Sequence, residues 1–197
     1  MGAIFQSLGR TVTAGVVLLV IIVMLTGVLT GQMVAVDMGW SRFFMRWLHV
    51  LAGVMWIGIL WYFNFVQMPS MPKIPDDQKP AIGKVIAPAA LFWFRWAALA
   101  TVVTGVLLAW MSGYLGQALS LSKGYHAIGI GMWLALIMAF NVWFIIWPNQ
   151  KKALGMVQVT PEEKTKAARV AMLTSRFNTM LSVPMLYCMV AQQNGGL

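Results

Sequence analysis

Charge is what this sequence lacks most: only five of its 197 residues are acidic and charged residues make up 10%, while 60% are hydrophobic. A soluble domain of this size carries about 25% charged residues. That shortfall excludes a water-facing exterior, so most of the surface must meet lipid. The acids Asp37, Asp76, Asp77, Glu162 and Glu163 all lie outside the apolar stretches, which excludes a carboxylate relay through the membrane. Cysteine is scarcer still. Cys188 stands alone, so the chain cannot build an intrachain disulfide, an iron–sulfur cluster, a thiolate zinc site or a Cys-x-x-Cys-His attachment. Within its apolar run it reads as a small buried side chain. No Ser/His/Asp arrangement or phosphate loop is present. The net charge of +9 comes from cations that flank apolar runs, a pattern that speaks for membrane topology and against nucleic acid.

What is present is a set of five apolar stretches, 13–30, 43–66, 89–111, 124–147 and 170–190, each near the roughly 20 residues that cross hydrocarbon. They predict an all-α membrane protein with five transmembrane helices in a single domain, 1–197. Arg10 before the first stretch resembles the start of a signal peptide, but the apolar core is too long and is read as a retained span. With the N-terminus inside, that side holds Arg10, Lys73, Lys79, Lys84, Arg95, Lys151, Lys152, Lys164, Lys166, Arg169 and Arg176. The outer side holds only Arg42, Arg46 and Lys123, so the positive-inside rule puts the N-terminus in the cytoplasm and the C-terminus outside. Residues 67–88, with Pro69, Pro72, Pro75 and Pro80, read as an irregular crossover. Thr160-Pro161-Glu162-Glu163 reads as a helix start, with Thr160 as N-cap, proline at the first position and Glu163 completing a capping box.

The second and fourth stretches repeat one pattern. With His49 laid on His126, Arg46 falls on Lys123, Met55 on Met132, Trp56 on Trp133, Phe63 on Phe140 and Asn64 on Asn141, all 77 residues apart. The following helices continue it loosely: Arg95 pairs with Arg176, and Thr101-Val102 with Ser182-Val183. Paired spans run the same way through the membrane, so the repeat is parallel, about a pseudo-twofold axis along the membrane normal. Stretches two to five form a four-helix bundle on this reading, with the first helix added outside it.

Both histidines of the chain then lie at one depth, a turn or two below the outer face, on related helices. Two imidazoles facing each other across an axis are what a six-coordinate b-type haem requires, so His49 and His126 are the expected metal ligands. Gly53 and Gly129, four and three residues on, leave room for a flat macrocycle. Trp56 and Trp133 floor the pocket, and Arg46 and Lys123, one turn outward, meet its carboxylates. The bland alternative is a buried histidine bonded to a backbone carbonyl; a polar residue within a span argues against it. Copper is the other metal option, given 16 methionines and two histidines. The methionines are scattered as packing residues are, and haem is preferred. A deeper polar layer of Asn64, Asn141, Arg95 and Arg176 offers a possible substrate pocket for an anion or ring; its alternative is that the arginines reach headgroups and the asparagines bond neighbouring helices.

The runs 46–58 (RWLHVLAGVMWIG), 141–148 (NVWFIIWP) and 178–186 (NTMLSVPML) resemble the urate oxidase N-terminal family of membrane urate hydroxylases. The likeness extends over most of stretches two to five. It implies a redox protein of the bacterial inner membrane, acting on a urate-like substrate or passing electrons toward cytochrome c. In the full-length members a cytochrome c domain follows the last span. Here the sequence stops at Leu197 without a haem-attachment motif, so the expectation is a separate cytochrome partner or a reassigned role. The competing expectations are an accessory subunit of a larger respiratory or monooxygenase complex and, from the parallel repeat, a small transporter.

Overall fold

The structure, a computed structural model, describes residues 2–196. These form an all-α protein, with no strand among the described residues. After one turn at Gly2–Phe5, the helices are α1 (Leu8–Thr30), α2 (Met38–Lys73), α3 (Lys79–Met111), the short α4 (Leu115–Leu119), α5 (His126–Ala153) and α6 (Pro161–Asn194). Four of them, α1, α2, α3 and α5, are long and apolar enough to cross a membrane.

The fifth expected span lies inside α6, which is not one of those four because Ser175, Arg176, Asn178, Thr179 and Ser182 dilute its hydropathy. Its burial pattern accounts for them. Ala171, Ser175, Asn178, Ser182, Met185, Cys188 and Ala191 recur every three or four residues and are buried, whereas Leu173, Phe177, Met180, Val183, Tyr187 and Val190 are exposed. A helix bathed in water buries its apolar stripe and exposes the polar one. Here the small and polar stripe is inside and the apolar stripe outside, the distribution of a helix packed against other helices in lipid.

The chain divides into two units, the first ending at Phe43 and the second starting at Phe44. In the first, α1 buries only Gly27, against which Met33 packs, and ends at Gly31, whose φ of 68° a side chain would resist. Asp37 Oδ1 accepts from Trp40 N–H at 2.7 Å and caps α2. In the second, Trp56, Leu60, Phe63, Phe94, Ala98, Met138, Val142, Ile146 and Met185 form the main core. Polar bonds cross this core. Trp61 Nε1 donates to Ser182 Oγ at 2.9 Å, Asn64 Nδ2 to Ser175 Oγ at 2.8 Å, Asn141 Nδ2 to Asn178 Oδ1 at 2.8 Å, and Asn178 Nδ2 to the Met138 carbonyl at 2.9 Å.

Three stretches of π-helix, Tyr62–Gln67, Ile82–Ile86 and Asn141–Ile146, interrupt α2, α3 and α5. Each stops two residues before a proline: Pro69, Pro88 and Pro148. Proline has no N–H to donate and its ring crowds the carbonyl four residues back, so the helix widens ahead of it instead of breaking. The same chemistry corrects the reading of 67–88 as an irregular crossover. Helix continues to Lys73, with Pro69 accommodated by the widened stretch and Pro72 by a closing 3-10 turn, and it resumes at Lys79 with Pro80 in its first turn, where a missing donor costs nothing. The capping box at α6 forms as its sequence indicates: Thr160 Oγ1 accepts from Glu163 N–H at 3.2 Å, and Glu163 Oε2 from Thr160 N–H at 3.3 Å.

The repeat has a structural counterpart with a twist. Both copies carry the Phe-Asn pair at a π-helical stretch. Yet Trp56 is buried while Trp133 is 45% exposed, and Met132 is buried while Met55 is 45% exposed. Adjacent residues have exchanged faces, equivalent to turning one helix by one residue, about 100°, relative to the other.

Candidate functional site

A cavity of about 550 Å³ opens within the second unit, lined by residues of α2, α3, α5 and α6 together with Tyr114. From α2 come Arg46, His49, Gly53, Trp56 and Ile57, spaced to share one helix face. From α5 come Ile128, Met132 and Ala135, and from α6 Met185, Met189 and Gln193. Its wall is predominantly apolar, with a few polar groups, as ligand cavities are.

His49 is the one titratable imidazole on that wall. Its Nδ1 lies 2.9 Å from the Thr101 carbonyl oxygen and 3.2 Å from Thr104 Oγ1. The Thr104 hydroxyl is itself 2.6 Å from the Ala100 carbonyl, to which it donates. With its hydrogen on Nδ1, the ring donates to the Thr101 carbonyl and is fixed in one tautomer and one orientation. Nε2 then carries a lone pair, and no described residue hydrogen-bonds to it. A histidine held through Nδ1–H by a carbonyl, with Nε2 available, is the usual disposition of a metal-ligating imidazole. Gly105 makes room for it: a Cβ there would stand 2.8 Å from His49 Cε1 and 3.1 Å from Nδ1. Trp56, fully buried on the same wall, has an indole N–H without a partner. Near the Arg46 end, Tyr114 stacks on Tyr125 with centroids 5.9 Å apart, and burial pushes its phenol up against the opposing pull of Arg46.

The expected site residues are therefore divided. Arg46, His49, Gly53 and Trp56 come together on the cavity wall, whereas His126, Lys123, Gly129 and Trp133 are not among its lining residues. His126 is the exposed first residue of α5. It stands two residues, about 200° of rotation, before the cavity-facing Ile128. Gly129 admits a neighbouring backbone, since a Cβ there would strike the Ala118 carbonyl oxygen and lie 2.7 Å from Leu121. Trp133 donates to the Leu119 carbonyl at 3.0 Å. These residues seat the α4 segment against α5.

The deeper layer follows its helix-packing alternative for the asparagines, which bond Ser175 and Asn178. Arg176 is exposed on α6, and Arg95 stacks on Trp147 with its Cζ 3.3 Å from the ring centroid. None of the four lines the cavity. Among the described residues no three His, Cys, Asp or Glu side chains lie together where they could hold a metal ion. Sequence reasoning passed over Gly105 and Tyr114, and read the methionines, Met132 among them, as packing residues. Thr101 was legible as the repeat partner of Ser182, and Gly105 lies one turn from it on the same face.

The model of the family described as urate oxidase N-terminal matches residues 120–195, which hold the whole of α5 and α6. Comparison with curated proteins and with solved structures gives no match.

Proposed function

We propose, from the membership of the urate oxidase N-terminal family that the match over residues 120–195 supports, that this chain is a membrane-embedded redox protein holding one b-type haem in the His49 cavity. The observation that carries the reading is the His49 imidazole, clamped by the Thr101 carbonyl with Nε2 left to bind a metal. The residues fit such a group: an apolar cavity, glycines at positions 53, 58 and 105 on its wall, and a cation and a phenol toward one end. A haem bound there supplies one-electron transfer through its iron. His49 would hold the iron, and a thioether of Met132, Met185 or Met189, which share the wall, would be better placed to join it than the exposed His126. Arg46 and Tyr114 would receive carboxylates, and the aliphatic and indole wall would exclude water from the metal. Electrons would leave toward an outer-face cytochrome, or be drawn from a urate-like substrate, with the chain in the bacterial inner membrane and its N-terminus in the cytoplasm.

The test is the reduced-minus-oxidised optical spectrum of the purified protein. Haem bands are expected in the wild type and in His126→Ala, and should be lost in His49→Ala. Bands absent from the wild type, or unchanged in His49→Ala, sink the proposal; bands lost from both variants would reinstate a bis-histidine site. The juxtaposition of one imidazole with three thioethers also suits copper, and metal analysis of the same preparation separates the two.

A further inference from the structure

We propose that Arg95, Trp143, Trp147 and Lys151 form a binding site for the phosphate group of an anionic ligand, apart from the histidine cavity. The Arg95 guanidinium carbon lies 3.3 Å from the Trp147 ring centroid and 5.9 Å from that of Trp143. Lys151 Nζ approaches Trp147 as well, at 5.6 Å. Trp96 packs edge-on against Trp143 at 5.5 Å and closes that side. Two cations thus converge on one indole, from α3 and from the last turns of α5.

Nothing in the described protein neutralises them. The single ion pair among the described residues joins Lys79 to Asp76. Arg95 Nε and Nη1 and Trp143 Nε1 are buried and have no hydrogen-bond partner. A ring face attracts the cation but accepts none of these N–H bonds, and a buried donor left unfilled is costly. Three donors and a nearby ammonium call for a ligand with several anionic oxygens. A guanidinium fork matches phosphate geometry.

Position narrows the source. Trp147 is followed by Lys151 and Lys152 in the last turn of its segment, the mark of a helix end at headgroup level. A lipid phosphate and a free phosphate offer the same chemistry there.

The experiment is thermal unfolding of the full chain in detergent, with phosphatidylglycerol, phosphatidylcholine or inorganic phosphate added at matched ionic strength. Phosphatidylglycerol should raise the midpoint of the wild type and of Arg176→Gln, a control on an exposed arginine. Arg95→Gln should need at least about tenfold more lipid for the same shift, equivalent to about 1.4 kcal/mol, and Lys151→Gln should weaken the response less. A matching response to inorganic phosphate would identify a free phosphate as a sufficient ligand. Equal lipid responses in the wild type and Arg95→Gln, or no response to any phosphate, overturn the proposal. Should Arg95→Gln fail to fold, Arg95→Lys and Lys151→Gln decide, since the first keeps the charge and loses the fork. The readout does not depend on haem content, so this site and the His49 site fail or stand separately.

Discussion

Glycines on these helices look alike in the sequence and differ sharply in space. A Cβ on Gly53 would meet only Thr101 Cγ2, at 3.9 Å, an ordinary contact. On Gly105 it would meet the His49 ring at 2.8 Å, and on Gly129 the backbone of Ala118. Gly53→Ala should therefore leave the packing of α2 on α3 and the melting midpoint unchanged. Gly105→Ala should displace the imidazole and cut cofactor occupancy severalfold without unfolding the bundle. Gly129→Ala, facing backbone that cannot swing aside, should cost about 1–3 kcal/mol. Optical spectra and detergent-based thermal melts of the three variants separate these outcomes. Gly53 was legible as a cavity residue from its spacing to His49. The role of Gly105 was not, because it depends on which face of another helix His49 meets.

At the scale of the element, polar side chains join the helices and prolines widen them. Asn178 is wholly buried, accepting from Asn141 and donating to the Met138 carbonyl. Asn178→Leu leaves the Asn141 amide and that carbonyl without their partner. The expected loss is about 1 kcal/mol, between the ~0.6 average for hydrogen bonds within membranes and the ~1–3 for an orphaned buried group. Steric trapping or a detergent melt would measure it, and a variant as stable as the wild type would contradict the assignment. Helix existence was readable in the five apolar stretches, since long apolar runs cannot leave backbone groups unpaired in lipid. The feature misjudged was the crossover, where prolines fell at positions a helix tolerates; the fifth span does lie within α6, whose polar stripe lowers its hydropathy while lining the bundle.

For the whole molecule, the distribution of cations predicts an orientation that thiol labelling tests. Cys188 is buried and contributes little background to thiol labelling. In intact cells stripped of the outer barrier, Ser120→Cys, exposed after α4, should react with a membrane-impermeant maleimide. Lys152→Cys, exposed at the end of α5, should react only after permeabilisation. The reverse pattern would invert the topology and move the His49 cavity to the other face.

Composition and periodicity by themselves determined an all-α protein of apolar helices, a repeated histidine-bearing segment, the capped start of α6 and one of the two histidines as a wall residue of the cavity. Those are properties of single helices, set by backbone hydrogen bonding and by the cost of charge in lipid. The rotation of each helix about its own axis belongs to the tertiary structure alone. It is decided by where small residues permit close approach, as Gly129 does against Ala118 and Gly131 against Cys188. A turn of one residue carries a side chain through about 100°, enough to leave His49 on the cavity wall and His126 outside it.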